Sequence, residues 1–72
     1  MNIPLREIVN QLRNEYPAST RIELTGMDDA QAPPIGTLGT VQGVDDMGSI
    51  MVYWDNGSTL SLVYGVDSCE KI

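Results

Sequence analysis

Residues 49–62 read SIMVYWDNGSTLSL and predict a β-hairpin. The dipeptide Asn56-Gly57 lies between two runs in which apolar and polar residues alternate, and this arrangement is the strongest short-range hairpin signal in a sequence. A two-residue loop would pair Val52 with Ser61 and so mix apolar and polar side chains on both faces of the hairpin. The apolar pattern therefore argues against that register.

A three-residue loop over residues 55–57 gives a consistent pattern. It gathers the apolar residues on one face through two cross-strand pairs, Val52 with Leu60 and Ile50 with Leu62. Because a slip of one residue would exchange the two faces, the pattern selects this register. We therefore predict a type I turn followed by a bulge, in which Gly57 takes a positive φ.

The hairpin also predicts the role of its tryptophan. Trp54 has the inward parity of Ile50 and Val52, which indicates a position in the core. A half-exposed Trp54 that anchors a partner is the alternative interpretation. Four hairpin residues are predicted to be structural: Trp54, Asp55, Asn56 and Gly57.

The rest of the C-terminal part is also predicted to be β-structure. Five strands are expected, over residues 21–24, Leu38–Val44, Ser49–Trp54, 59–63 and 68–72. Gly43 is predicted to form a bulge, because Val41 and Val44 cannot both face inward in a regular strand. The long connection 28–36 reads DDAQAPPIG and is stiffened by its two adjacent prolines, while residues 45–48 and 64–67 form short turns.

The N-terminal part has a different period. Leu5, Ile8, Val9 and Leu12 recur at the spacing of an amphipathic helix, which we predict over residues 4–15. Pro4 suits the first turn, and Pro17 ends the helix because the residue before a proline is pushed out of the α region. We expect this helix to cover an open end of the sheet, and a helix that packs on a partner is the alternative.

These elements predict a mainly β fold with one N-terminal α-helix. We expect a single domain over residues 1–72, in which a small five-stranded SH3-like barrel over residues 20–72 is capped by the helix. An OB-like barrel is the alternative, although its strands are longer and it carries a helix between strands three and four.

Charge and composition exclude several classes of function. The chain has 72 residues, with 10 acidic and 4 scattered basic residues and a net charge of −6. Direct nucleic-acid binding, which depends on phosphate neutralisation, is therefore not expected. Binding to an anionic membrane surface is not expected either, and no apolar run is long enough to span a bilayer. A basic protein or peptide is the expected partner.

Cysteine and histidine counts limit the chemistry further. The single Cys69 cannot form an internal disulfide, which favours a reducing, cytoplasmic location. The chain has no His, so it lacks the commonest general base and the usual zinc ligands. We therefore predict no enzymatic activity, no catalytic residues, no metal and no cofactor.

The run YPASTRIELTGMDDAQAPPIGTLGTVQGVDDMGSIMVYWDNGSTLSLVYGVDS, which begins at Tyr16, resembles a small bacterial and phage family, domain-of-unknown-function family 4314. Its pattern reads YPxGTR, then MDDxxAPPxGTxGTVxGVDDxGSIxVxWDNGS, and the chain departs from it at Ser19, where the pattern has Gly. The resemblance implies a small stand-alone protein, often encoded near mobile elements, and transfers no catalytic residue. The WDNG hairpin is also similar, more weakly, to that of SH3-like modules, which supports only the fold.

Two acidic pairs are the main candidate site. Asp28 and Asp29 open the long connection, and Asp45 and Asp46 open the turn between the second and third strands. In an SH3-like barrel these connections flank one groove, where four carboxylates would suit Arg or Lys on a partner. Asp residues that bond their own backbone in turns are the alternative, and a hard cation is a weaker one. Three residues are predicted to complete the partner-binding face: Met51, Tyr53 and Tyr64.

The predicted function is that of a non-catalytic binding module that holds a basic protein or peptide. An alternative is an inhibitor that mimics nucleic acid and occupies the channel of a nucleic-acid-binding or defence enzyme. A second alternative is a carboxylate-based hydrolase, which would require two carboxylates converging in one concave pocket.

Overall fold

The computed structural model describes residues 4–72, so residues 1–3 of the predicted domain lie outside the described part. Its elements are α1 Leu5–Glu15, β1 Arg21–Gly26, β2 Leu38–Val44, β3 Ser49–Trp54, β4 Leu62–Val63 and β5 Ser68–Lys71. The five strands form one antiparallel sheet in the order β4-β3-β2-β1-β5. This confirms the prediction of a mainly β fold with one N-terminal helix, whereas closure of the sheet into a barrel stays a prediction.

Two prolines flank helix α1, Pro4 directly before it and Pro17 two residues after it. The Pro4 carbonyl accepts the N–H groups of Glu7 and Ile8, at 3.0 and 3.2 Å, and so starts the helical hydrogen bonding. At the other end the Tyr16 N–H donates to the Leu12 carbonyl at 2.7 Å, one residue before Pro17. The observed helix therefore starts one residue after the predicted start and ends where predicted.

The helix packs on its own sheet. Val9 and Leu12 on its apolar stripe are buried and belong to the core. On the neighbouring face, Arg13 Nε donates to the Val44 carbonyl at 3.2 Å, which ties the helix to the end of β2. No helix in residues 4–72 combines the length and apolarity needed to cross a bilayer.

The core lies on the inward face of the sheet. Its strand residues alternate with exposed or half-buried neighbours, as the sequence period predicts: Ile22, Leu24, Val41, Val44, Ile50, Val52, Trp54 and Leu62. Within residues 4–72, no polar or charged residue is fully buried. Stability therefore depends on burial of apolar area, at about 25 cal/mol per Å².

The predicted bulge in β2 is confirmed. Val41 pairs with Val52 and Val44 pairs with Ile50, so β2 has one residue more than β3 over this stretch. Gly43 has a φ of 155° at this shift of register. The extra residue lets Val41 and Val44 both face inward, where both are buried.

The predicted hairpin register is confirmed at its turn. Gly57 has a φ of 93°, and its N–H donates to the Trp54 carbonyl at 2.9 Å. The Trp54 N–H in turn donates to the Ser58 carbonyl at 2.9 Å, which closes the three-residue loop. Further along the strands, Ile50 pairs with Leu62 as predicted.

The predicted length of the fourth strand is wrong. Strand β4 covers only Leu62–Val63, whereas residues 59–63 were expected. The indole N–H of Trp54 donates to the Leu60 carbonyl at 2.8 Å, and the Leu60 N–H donates to Ser58 Oγ at 3.3 Å. Because both backbone groups of Leu60 are used in this way, the expected pair with Val52 does not form.

Candidate functional site

The structure separates the two acidic pairs. Asp28 and Asp29 follow β1, whereas Asp45 and Asp46 follow β2 and so leave from the opposite end of the sheet. Strand β2 has seven residues, which places roughly 20 Å between its ends. The prediction that the four carboxylates flank one groove is therefore wrong.

The path of the long connection explains why the two acidic pairs are separated. Gln31, near its tip, borders a shallow cleft whose other lining residues are 57–60 of the hairpin loop. The connection therefore extends beside the β3–β4 hairpin loop, and it does not fold back toward the turn after β2. Successive connections of an antiparallel sheet leave from alternate ends, and only a fold-back would have joined the acidic pairs.

Asp29 serves its own loop. Its Oδ1 accepts the Gln31 N–H at 2.8 Å, and its carbonyl accepts the Ala32 N–H at 3.0 Å. This is the side-chain and backbone bonding of an aspartate in a turn. Asp28 beside it is exposed.

Asp45 serves the turn between β2 and β3. Its Oδ1 accepts the N–H groups of Met47 and Ser49, at 3.0 and 2.9 Å. Its carbonyl also accepts the Gly48 N–H at 3.1 Å. The turn-forming interpretation, which the sequence left open, describes this residue.

Asp46 is bound to the helix. Arg13 Nη2 lies 2.9 Å from Asp46 Oδ1, while Nε of the same guanidinium donates to the Val44 carbonyl. The pair holds α1 against the β2–β3 turn. Because both side chains are exposed, it contributes about 0–1 kcal/mol to stability.

Asp55 is bound to the first strand. Arg21 donates from both terminal nitrogens to the Asp55 carboxylate, at 2.8 and 2.7 Å, and also to Thr40 Oγ1 at 3.0 Å. Hydrogen bonding to Arg21 lowers the pKa of the Asp55 carboxyl. The contact ties the hairpin loop to β1 across β2. Within the loop, Asn56 Oδ1 accepts the Ser58 N–H at 3.0 Å.

Three apolar side chains form an exposed strip on the outer face of the sheet. Met51 and Tyr53 on β3 are 40% and 59% exposed, and Val63 on β4 is 45% exposed. Val63 pairs with Ser49, so it lies diagonal to Met51 on the same face. We call Met51, Tyr53 and Val63 the outer strip. Tyr64 is also exposed and follows Val63 in the next turn, whereas Trp54, at 3% exposed, lies in the core.

A second feature was not predicted from the sequence. A cleft of about 250 Å³ lies between β4 and β5, where the end of α1 approaches both strands. We call it the edge cleft, and its lining includes Leu12, Tyr16, Leu62 and Cys69. Most of its lining lies within residues 62–69, but helix α1 completes it with Leu12 and Tyr16, and no local period or motif indicates that the helix end lies beside this stretch.

Burial in the edge cleft changes the acidity of two side chains. Desolvation raises the pKa of the Tyr16 phenol to about 12, with the neighbouring Cys69 thiol adding to the shift. Burial also raises the pKa of Cys69. Lys71 Nζ lies 5.2 Å from the centre of the Tyr16 ring, within cation–π distance.

The geometry bears on one of the two alternative functions. Nucleic-acid mimicry was predicted from the small size and the net charge of −6, and it stays a prediction. A hydrolase would need two carboxylates in one pocket, and the edge cleft borders Glu15 and Asp67. Asp67 Oδ2, however, accepts the Val63 N–H at 2.8 Å and so serves the turn between β4 and β5.

A family model described as Domain of unknown function (DUF4314) matches residues 5–72, so the chain belongs to this family. The resemblance seen in the sequence is thereby confirmed. No curated protein matches the chain.

Proposed function

We propose that this member of the DUF4314 family is a non-catalytic binding module that holds a basic protein or peptide segment on its outer strip. The observation that carries the proposal is the outer strip itself. Met51, Tyr53 and Val63 are each at least 40% exposed and lie together on one face. Single exposed apolar residues need no explanation, whereas adjacent ones are typical of interaction surfaces.

The residue types of the strip suit an interface. Tyrosine and methionine are enriched at protein interfaces and lysine is depleted there. Tyr53 offers a large rigid surface with only two side-chain torsions to immobilise, and Met51 can adapt its shape to a partner. Burial of these two side chains would supply most of the affinity, as anchor residues do in other interfaces.

Carboxylates at both ends of β3 support a basic partner. Asp46 precedes the strand and Asp55 follows it, so acidic groups flank the strip along the strand direction. Each is bonded to an exposed arginine, Arg13 or Arg21. Exposed ion pairs of this kind contribute little to stability, so a lysine or arginine of the partner can share either carboxylate at small cost.

The mechanism would be tethering or occlusion of the partner. The net charge of −6 steers a basic surface toward the module, and burial of Tyr53 then slows dissociation. Because charge steers the encounter, association should weaken as the salt concentration rises.

The setting of the protein is part of the proposal. The single Cys69 fits a reducing, cytoplasmic location, and the family resemblance suggests genes near mobile elements.

The test begins with photo-crosslinking in the native host. A photoreactive phenylalanine analogue is placed at position 53 and, as a control, at position 11 on the exposed face of α1. The protein captured only from position 53 is purified and titrated calorimetrically against the wild-type chain and Tyr53→Ala. We expect Tyr53→Ala to weaken binding at least about tenfold, the loss typical of an anchor residue.

Two controls make this result specific. Tyr64→Ala removes an exposed tyrosine in the neighbouring turn and should change the affinity less than Tyr53→Ala does. Thermal unfolding of Tyr53→Ala should match the wild type, because surface substitutions change stability by less than about 0.5 kcal/mol. Equal affinity of Tyr53→Ala and the wild type would contradict the proposal.

A further inference from the structure

Strand β5 has an open edge beside the edge cleft. It pairs with β1 through Ile22↔Lys71, Glu23↔Glu70 and Leu24↔Cys69, and it is the last strand of the sheet. The Ile72 N–H donates to the Arg21 carbonyl at 3.1 Å, which fixes the phase of the hydrogen bonding.

This phase decides which backbone groups face outward. Hydrogen-bonded and non-bonded pairs alternate along an antiparallel ladder, so Glu70, like Ile72, directs its backbone groups toward β1. Cys69 and Lys71 therefore direct theirs away from β1. Among residues 4–72 these outward N–H and C=O groups have no backbone partner. They form a template for one further strand.

The edge cleft would receive side chains of such a strand. Leu12, Leu62 and Cys69 present apolar surface there, on the same side of β5 as the core. Directly opposed residues of an antiparallel pair point to the same face, so residues placed opposite Cys69 or Lys71 would point into the cleft. A residue of the added strand opposite Glu70 would point to the outer face, as Glu70 does.

The outer face at this edge carries an unbalanced pair of charges. Glu23 lies directly opposite Glu70, and opposed like charges destabilise a sheet. The cations closest to them in the sequence are engaged elsewhere, because Arg21 binds Asp55 and Lys71 lies against Tyr16 on the other face. A lysine placed opposite Glu70 on an added strand would balance this pair.

We propose that β5 binds an extended peptide segment as a sixth, antiparallel strand, with apolar residues in the edge cleft and basic residues opposite Glu70. The recognised pattern is an alternation of apolar and basic residues. This site shares Val63 with the outer strip, whereas Met51 and Tyr53 on β3 do not border the edge cleft.

A second copy of the chain fits this edge less well than a basic segment does. Two copies pair antiparallel across a two-fold axis, so the residue at the axis is opposite itself. An axis at Glu70 or at Lys71 would oppose two like charges, and an axis at Cys69 would place Ser68 and no cation opposite Glu70. A foreign strand with lysine opposite Glu70 has no such penalty.

The test uses a capped heptapeptide, Lys-Val-Lys-Val-Lys-Val-Lys, titrated against the full chain and followed by amide chemical shifts. In the proposed register the valine N–H groups face β5 and the lysine N–H groups face away. N-methylation of the central valine should weaken binding about tenfold, the loss expected for one removed backbone hydrogen bond with its partner left unsatisfied. N-methylation of a central lysine should change it far less.

Cys69 supplies an independent readout. Its thiol borders the edge cleft, so bound peptide should slow its alkylation in proportion to occupancy. Glu70→Gln should weaken binding several-fold and reduce its salt dependence. Asp28→Asn makes the same charge change at an exposed position outside the edge cleft and is the matched control.

The outcomes separate this proposal from the proposed function. Tyr53→Ala should leave peptide binding unchanged, so failure at the outer strip does not imply failure here. Binding that tolerates valine N-methylation, shifts that map to Met51 and Tyr53, or no binding at millimolar peptide would each overturn the proposal. Concentration-dependent shifts of the chain alone at Cys69 and Lys71 would identify a second copy as the occupant and overturn it as well.

Discussion

Replacement of Gly39 by alanine tests how the core is closed around the only tryptophan. Gly39 lies on β2 and pairs with Trp54 on β3. A Cβ at this position would lie 2.7 Å from Trp54 Cε3 and 2.7 Å from Val52 Cγ1. Both distances are far inside van der Waals contact, and both neighbours are almost completely buried. One of the two side chains must therefore move.

The expected cost follows from two opposed effects. Overpacking of a close-packed core costs about 1–3 kcal/mol. Alanine also restricts the unfolded chain more than glycine does, which stabilises the folded state by about 0.4–1 kcal/mol. The net expectation for Gly39→Ala is a loss of about 1–2 kcal/mol. For a domain of this size that corresponds to a decrease in Tm of about 4–16 °C.

Trp54 fluorescence reports both the unfolding and the packing change. Gly57→Ala is the matched control, because a Cβ at Gly57 meets no atom within 4 Å while its φ of 93° disfavours alanine. Both variants should lose stability, but only Gly39→Ala should alter the emission of the folded state. A Gly39→Ala protein with wild-type Tm and wild-type emission would refute the packing argument.

Three further substitutions have defined expectations. Trp54→Phe leaves the Leu60 carbonyl without its indole donor and should cost about 1–3 kcal/mol, seen as a lower denaturation midpoint in urea and faster amide exchange in residues 59–61. Ser19→Gly should raise stability by about 1 kcal/mol in the same assay, because Ser19 has a φ of 77° where the family pattern has glycine. Tyr16 should ionise at a pKa of about 12 in a tyrosinate absorbance titration, and Tyr16→Phe should remove that step. Since this pKa is raised above its ordinary value of 10.0, the stability it contributes is complete below pH 10 and is lost as the pH rises toward 12.

The β2–β3 hairpin and its bulge could be predicted because their determinants are local. Val41 and Val44 have the wrong spacing for one face of a regular strand, and one extra residue is the simplest solution. The position of Gly57 follows in the same way from the parity of the flanking apolar residues. In both cases the choice between registers exchanges buried and exposed faces, so the free-energy difference is large.

The length of β4 in the β3–β4 hairpin could not be predicted, because it depends on one side chain. The sequence pattern extends the fourth strand to residue 59, and nothing in that pattern indicates where the Trp54 indole donates. Once the ring is buried, its N–H requires an acceptor, and the Leu60 carbonyl supplies it. The strand then gives up a ladder bond to satisfy a buried donor.

The candidate site was mispredicted for a different reason. The loop order of an SH3-like barrel predicted that the two connections carrying the acidic pairs flank one groove. Asp29 and Asp45 each bond to their own turns, so turn chemistry alone accounts for an aspartate at both places. A fold-level analogy supplied the adjacency, and such analogies do not fix the path of a loop.

The few cations of the chain decide where its negative charge can act. Arg13 ties α1 to the β2–β3 turn, Arg21 ties the hairpin loop to β1, and Lys71 lies against Tyr16. Three of the four basic residues are thus used within the fold, and each holds together elements that are distant in the sequence. Glu23 and Glu70 consequently remain opposed on the outer face without a cation beside them. In the proposed complex a basic strand would meet this negative pair at the open edge of β5, and its lysine would relieve the repulsion between the two carboxylates.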